Sequence, residues 1–317
     1  MQTTPPMRSM VRETHIDFMS KGRPALLMSL VVLIVCILSL LFQGLNLGLD
    51  FTGGTLIEVG YPAPVEIPKV RETLEKAGFG DAQVQHFGAS SDILIRIAPR
   101  EGLNSADINN RVLNILKEAE GGSGAQTRRV EFVGPQVGAE LVENGGLAML
   151  FALIGILLYI ALRFEWRMAL GAIAATVHDA VFTIGVFSLF RFEFDLTVLA
   201  AVLAVIGYSV NDTVVVLDRI RENFRKMRKE SVRQVMNAAI NQTLSRTIMT
   251  SMTTFLAVLV LFCFGGTTTR GFALAMIVGI VVGTYSSIYI ASAGALELGL
   301  RREDLLPKIR TEVDNRP

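Results

Sequence analysis

An aspartate at position 212 interrupts an apolar stretch, residues 196–217, within the run Gly207-Tyr208-Ser209-Val210-Asn211-Asp212-Thr213. A carboxylate held in hydrocarbon costs roughly 2.5–3.5 kcal/mol on insertion scales, so a retained one points to ion, proton or substrate traffic. Arg246, in Ser245-Arg246-Thr247 at the mouth of a later apolar stretch, is the expected counter-charge. Desolvation and a neighbouring guanidinium pull a carboxylate's proton affinity in opposite directions. Moving Arg246 toward or away from Asp212 would therefore switch the charge on Asp212. A proton moving down 100 mV supplies roughly 2.3 kcal/mol, enough to bias a two-state helix arrangement.

Several polar residues are candidates to support this proton relay. Ser209 and Tyr208 share a helix face with Asp212, Asn211 and Thr213 flank it, and Thr247 follows Arg246. His178-Asp179 forms a second polar pair inside an apolar stretch, where it either joins the relay or braces two helices. Thr250, Thr253 and Thr254, with Thr284, Ser286 and Ser287, would line a wet track or serve as hydrogen-bonding glue between helices. Asp218-Arg219 reads as a helix-end ion pair, and Glu193 and Asp195 as solvated boundary residues. Phosphate loop, nucleophile elbow and metal-ligand spacing are all missing from the sequence, so neither an enzyme nor a cofactor or metal is expected. Cys36 and Cys263 read as apolar filler.

These residues must be positioned by membrane helices. The chain has 317 residues, 51% of them hydrophobic, and a formal net charge of +1. Its apolar residues collect in six windows, 25–42, 145–162, 168–190, 196–217, 248–264 and 272–296. Each is close to the length that spans roughly 30 Å of hydrocarbon. The first window is long and lacks a small-residue cleavage site, so it is read as a retained helix and not as a signal peptide. Lys and Arg crowd residues 1–24, the 163–167 connection, the basic loop 218–245 and the tail 297–317, which puts both termini in the cytoplasm. In that topology Asp212 lies roughly 8 Å inside the inner boundary, level with Arg246 on the next, antiparallel helix. The cations lie next to the membrane without interleaved aromatics, so nucleic acid is not an expected partner.

Residues 43–144 form a polar segment on the outer side. Its pattern predicts strand 55–61, helix 64–78, strands 83–87 and 92–98, helix 104–119 capped by Asn104, and strand 128–133. Gly121-Gly122-Ser123-Gly124 breaks the chain after the second helix. That order is the ferredoxin-like one. The expected fold class is thus a polytopic α-helical membrane protein, with one small α+β periplasmic domain between helices 1 and 2. Gly48-Leu49-Asp50-Phe51-Thr52-Gly53-Gly54 reads as a fixed junction between membrane and domain. The basic loop 218–245 is expected to contain helix with an apolar stripe of Val232, Val235, Met236, Ala239 and Ile240. Lying beside the membrane, the loop would contact anionic headgroups or a partner's acidic surface, or only mark the cytoplasmic side. Gly279-xxx-Gly283 permits close helix contact, within the chain or with a partner.

The junction motif, Val133-Gly134-Pro135-Gln136-Val137-Gly138, the run from Gly207 through Asp212 to Asn223, Ser245-Arg246-Thr247 and Gly283-Thr284-Tyr285-Ser286-Ser287-Ile288 resemble the SecD–SecF family of bacterial protein export. The likeness runs from about His15 to Glu297 and places the chain on the SecF side of that family, within the resistance-nodulation-division superfamily. The resemblance implies an accessory subunit of the Sec translocase in the inner membrane, which uses the proton-motive force in late polypeptide translocation. Its implied partners are SecD, the SecYEG channel, YajC, the translocating unfolded polypeptide and protons. The family's proton-linked Asp maps onto Asp212 and its required Arg onto Arg246. A proton-driven small-molecule exporter and a passive scaffold of the channel are the competing readings, and sodium competes with protons as the coupled ion.

Overall fold

The computed structural model describes residues 14–100, 105–119 and 124–305. Residues 14–18 cross the N-terminal part of a later helix, Val232–Phe264, before helix α1, Gly22–Phe42. The Ile16 N–H and carbonyl bond the Asn241 side chain at 2.9 and 2.8 Å, and the Met19 N–H bonds Asn237 at 3.0 Å. After α1 come a two-residue strand β1, Asn46–Leu47, and a one-turn helix α2, Leu49–Thr52. Gly53 and Gly54 follow at φ +65° and +119°, where a side chain would be strained, and a Cβ on Gly54 would strike the Ile97 carbonyl.

Four strands then build one sheet: β2 Gly54–Gly60, β3 Gln83–Phe87, β4 Ala89–Ile97 and β5 Gln126–Val133. Their order is β3-β4-β2-β5 and every pairing is antiparallel. Helix α3, Ile67–Lys76, connects β2 to β3, and α4, Ser105–Ala119, lies between β4 and β5. Ile57, Val59, Ile93, Ile95 and Ile97 alternate onto one face and bury against Val70 and Leu74 of α3 and Ile108, Val112 and Leu116 of α4. The Asn104 cap and Gly121-Gly122-Ser123 lie outside the described residues.

The remaining long helices are α5 Pro135–Arg163, α6 Trp166–Leu189, α7 Leu196–Lys226, α8 Val232–Phe264 and α9 Thr267–Ser286. A two-residue strand β6, Glu193–Phe194, precedes α7. A π-helical turn, Ser287–Ser292, carries α9 into α10, Ala293–Glu297, and a short α11, Arg302–Leu305, follows. Six helices are long and apolar enough to cross a membrane, so the chain is a multi-pass membrane protein. Helices α6, α7 and α9 are the buried centre, whereas α1, α5 and α8 expose most of their apolar surface.

Hydropathy understates three of these helices. Pro135 stands in the first turn of α5, where its missing N–H costs nothing, so that helix starts ten residues before the apolar window. Helix α7 continues to Lys226 because Ile220 and Phe224 are buried and Glu222 pairs with Arg219 and Lys226. Helix α8 starts at Val232 behind a Ser231–Gln234 capping box. The expected basic loop 218–245 is therefore almost entirely helix, with only residues 227–231 between the two. Val235, Met236, Ala239 and Ile240 bury against Leu217, Ile220 and Phe224, so most of the apolar stripe is consumed in the protein's own core and is not presented to a membrane surface. Asp218 pairs with Arg163 at 2.8 Å, not with Arg219 as expected.

A junction of short elements ties the sheet domain to the start of α7. Strands β1 and β6 pair in parallel, and the Gly48 N–H donates to the Phe194 carbonyl at 2.8 Å. A Cβ on Gly48 would fall 2.9 Å from that of Asp195, so only glycine permits this approach. Asp195 is not a solvated boundary residue; it caps α7 by accepting from the Val198 N–H at 2.8 Å. Asp50 accepts from the Leu196 N–H at 3.0 Å. Arg96 of β4 donates to the Leu47 carbonyl at 2.8 Å and to the Thr52 hydroxyl.

Candidate functional site

Asp212 sits on α7, nearly five turns after the Asp195 cap, on the face that packs against α8 and α9. It is 7% exposed, and both carboxylate oxygens are held by hydroxyls from other helices. Thr247 of α8 donates to Oδ1 at 2.6 Å, and Ser287, at the start of the π turn, donates to Oδ2 at 2.7 Å. Hydrogen bonds to a charged acceptor are shorter and stronger than neutral ones, and here they pin three elements to one carboxylate.

Arg246 is placed differently from the sequence expectation. Among the described residues no ion pair joins it to Asp212 within 4 Å, and its side chain is exposed on the outer surface of α8. Consecutive helical residues point about 100° apart. Thr247, one residue on, takes the inward position, which leaves Arg246 facing outward.

The expected hydroxyl track is only partly assembled. Thr250, Thr253 and Thr254 turn their hydroxyls back onto the carbonyls of Arg246, Met249 and Thr250; Thr250 and Thr253 are exposed and Thr254 is half-buried, so the three form no internal path in this chain. Inside the bundle a different chain forms: Tyr208 donates to Ser251 at 3.2 Å, and Ser251 meets Thr284 at 2.7 Å. Ser251 lies one turn from Thr247 on α8; its place in the hydroxyl-rich run 247–254 of an otherwise apolar helix was the available signal in the sequence.

The His178-Asp179 pair lies at the same heart of the bundle. Asp179 is fully buried, and its Oδ1 meets His178 Nδ1 at 3.0 Å. Ser209 of α7 and Ser286 of α9 both donate to its Oδ2, the latter at 2.6 Å. Ser209 thus faces Asp179 and not Asp212. Thr213 is buried, whereas Asn211 is exposed. Gly279 packs on Val205 and Gly283 on Ser209, so the small-residue pair serves α7–α9 contact within the chain. Cys36 is buried against Gly185, and Cys263 is exposed. Among the described residues no group of His, Cys, Asp and Glu could hold a metal ion.

Comparison with known proteins agrees with this architecture. The family model for the C-terminal part of the protein export membrane proteins SecD/SecF matches residues 112–301, and the SecD/SecF GG motif matches residues 38–64. The protein translocase subunit SecF of Vibrio alginolyticus is 50% identical over 309 residues, covering 96% of this chain and 98% of that protein. The chain belongs to the SecF family. The SecF subunit of Pseudomonas aeruginosa is 49% identical, over 95% of this chain and 98% of its own length. Among solved structures, SecDF of Thermus thermophilus, described as a translocon-associated membrane protein, is similar with a TM-score of 0.82 and 37% identity. The match covers 94% of this chain but 40% of that SecDF chain. A SecDF structure in a super-membrane-facing form gives a TM-score of 0.70 at 36% identity, over 95% of this chain and 41% of that one. In this SecF-family chain the GG motif is the junction that carries Asp50, Gly53 and Gly54, and the C-terminal match contains Asp179, Asp212 and Arg246.

Proposed function

We propose that this chain is an accessory subunit of the bacterial Sec protein translocase that works with SecD and draws on the proton-motive force to promote late steps of polypeptide translocation. The observation that carries the reading is Asp212, a nearly buried carboxylate in a membrane helix, gripped by Thr247 and Ser287 from two other elements. When a proton binds, the carboxylate loses its charge, and the two hydroxyls lose the reason for their short contacts. Helix α8 and the π turn are then free to shift against α7. The same helix α7 begins under Asp50 and Asp195 at the outer junction, so its movement reaches the sheet domain directly.

In this reading the sheet domain, with its ferredoxin-like order, stands on the periplasmic side of the inner membrane, and both termini are cytoplasmic. The clustered cations Arg163, Arg167, Arg219, Arg221, Arg225 and Lys226 support that orientation. Arg246, exposed on α8, is in this reading available to a partner and not committed within this chain. The channel SecYEG, YajC and the unfolded polypeptide are the further partners of this assignment, and no covalent chemistry on a substrate is part of it.

The test is export of a secreted reporter in cells whose only copy carries Asp212→Asn, with membrane abundance and SecD assembly measured alongside. Normal assembly with export reduced to the level of a deletion is the expected result. Normal export would leave the passive scaffold as the better reading.

A further inference from the structure

Asp179 is the fully buried carboxylate of this bundle, and the proton-carrying reading of Asp212 gives it no task. A carboxylate so placed in a membrane helix is expensive and is kept where it serves traffic or holds something in place. Its oxygens are committed to His178 on its own helix, Ser209 on α7 and Ser286 on α9. Ser209 lies one turn before Asp212 on α7. Ser286 immediately precedes Ser287, which donates to Asp212. Two consecutive serines of one helix end therefore bind two different carboxylates on two neighbouring helices.

Each serine also has a second acceptor. The Ser286 hydroxyl lies 3.1 Å from the Gly283 carbonyl, and the Ser287 hydroxyl 3.1 Å from the Thr284 carbonyl. A hydroxyl has one hydrogen, so it donates either to its carboxylate or back along the helix. The helix changes to a π turn at Ser287, and single π turns recur at functional sites.

We propose that Asp179 is a positioning residue for Asp212: by fixing Ser209 and Ser286 it sets how the end of α9 presents Ser287 to the proton-carrying carboxylate. This rests on the reading that Asp212 carries protons. When Asp212 is protonated, the Ser287 hydroxyl returns to the Thr284 carbonyl, and α9 is held at this level by the Ser286–Asp179 bond. Asp179 is then the fixed end of a latch whose releasing end is Asp212.

Other titratable or charged side chains on the helices packed around this level include Arg23 and Cys36 on α1, Glu140, Glu143, Tyr159 and Arg163 on α5, Tyr208, Asp212 and Asp218 on α7, Arg246 on α8, Arg270 and Tyr285 on α9, Tyr289 in the π turn and Glu297 in α10. The Tyr285 hydroxyl is taken by the Ala25 carbonyl at 2.9 Å and Tyr208 by Ser251. Among these groups and His178, only His178 is within hydrogen-bond distance of Asp179. Its ring also packs beside Phe182.

The experiment measures completion of export under an imposed proton gradient, as a function of pH, in membrane vesicles containing the whole complex. Asp179→Asn is expected to assemble and to shift the midpoint of the pH profile by about one unit or more, the scale set by losing hydrogen bonds to a charged group. Asp179→Glu is expected to move the midpoint back toward the unsubstituted value. The pair Ser209→Ala with Ser286→Ala keeps Asp179 and is expected to shift the midpoint in the same direction as Asp179→Asn. If Asp179→Asn fails to assemble or abolishes export outright, the serine pair decides. An unshifted midpoint in assembled Asp179→Asn, or in the serine pair, overturns the proposal. Asp212→Asn, run alongside, separates the two ideas. Normal export there removes the proton-carrying reading itself, whereas lost export there with an unshifted Asp179→Asn profile removes only the positioning role.

Discussion

The Thr247 hydroxyl donates to Asp212 at 2.6 Å, so within this chain the neighbour of Arg246, and not Arg246 itself, holds the carboxylate. One residue of helical offset separates a buried hydroxyl contact from an exposed cation. The two neighbours should therefore respond differently to substitution.

Thr247→Val keeps the shape of the side chain and deletes the donor. A hydrogen bond to a charged group is worth about 1.5–3 kcal/mol, so the equilibrium between protonated and charged Asp212 should move by roughly tenfold or more. The pH profile of gradient-driven export checks this, and Thr247→Ser, which restores the donor, should return it to normal.

Arg246→Met should leave the isolated chain as stable as before, within about 0.5 kcal/mol, because an exposed side chain without a close ion pair contributes little to its fold. Export should nevertheless fall sharply once the chain is assembled with SecD. Thermal unfolding in detergent and reporter export, measured on the same variant, check the two halves. A large loss of stability would mean that Arg246 serves the fold of this chain.

Part of this site is legible in the sequence and part is not. Asp212 stands out because hydropathy makes any carboxylate in an apolar stretch conspicuous, and Ser286-Ser287 is visible for the same reason. Which residue of the Arg246–Thr247 pair faces inward depends on helix rotation, which tertiary packing sets. The helical extension of α7 was hidden because Ile220 and Phe224 are spaced among charges, and a hydropathy window averages them away. The strand order of the sheet domain follows from alternating apolar residues such as Ile93, Ile95 and Ile97. The β1–β6 pairing is not readable, because it joins two-residue strands about 150 positions apart.

Glu193, at the junction between the sheet domain and α7, should make that junction sensitive to pH. Burial pushes its carboxyl above the usual range; Arg96 opposes this, while Asp195, Asp50 and Glu131 add to it. Burial also lowers the affinity of Arg96 for its proton, and the two groups stand 3.9 Å apart, at the limit of an ion pair. Desolvation therefore outweighs their attraction. A carboxyl whose pKa is raised on folding contributes stability that is complete below its unfolded pKa and is lost as pH rises through its folded pKa. The junction should thus loosen as pH rises from the acid range toward neutrality. Glu193→Gln should remove that slope, and amide exchange at Leu196 and Val198 across pH measures it.

Gly279→Ala should destabilise the bundle, because a Cβ there would collide with Val205 on α7. Overpacking of this kind costs about 1–3 kcal/mol. Gly155 on α5 has nothing within 4 Å of such a Cβ, so Gly155→Ala is the matched control and should be tolerated. Thermal unfolding of the two variants in the same detergent makes the comparison.

The most direct measurement is the completion of translocation in vesicles containing the assembled complex, with and without an imposed proton gradient, for unsubstituted chain, Asp212→Asn and Asp212→Glu. If Asp212 carries the protons, the gradient should accelerate export by the unsubstituted chain and have no effect on Asp212→Asn, with Asp212→Glu between them. An equal response to the gradient in the unsubstituted and Asp212→Asn complexes would contradict proton coupling through this carboxylate.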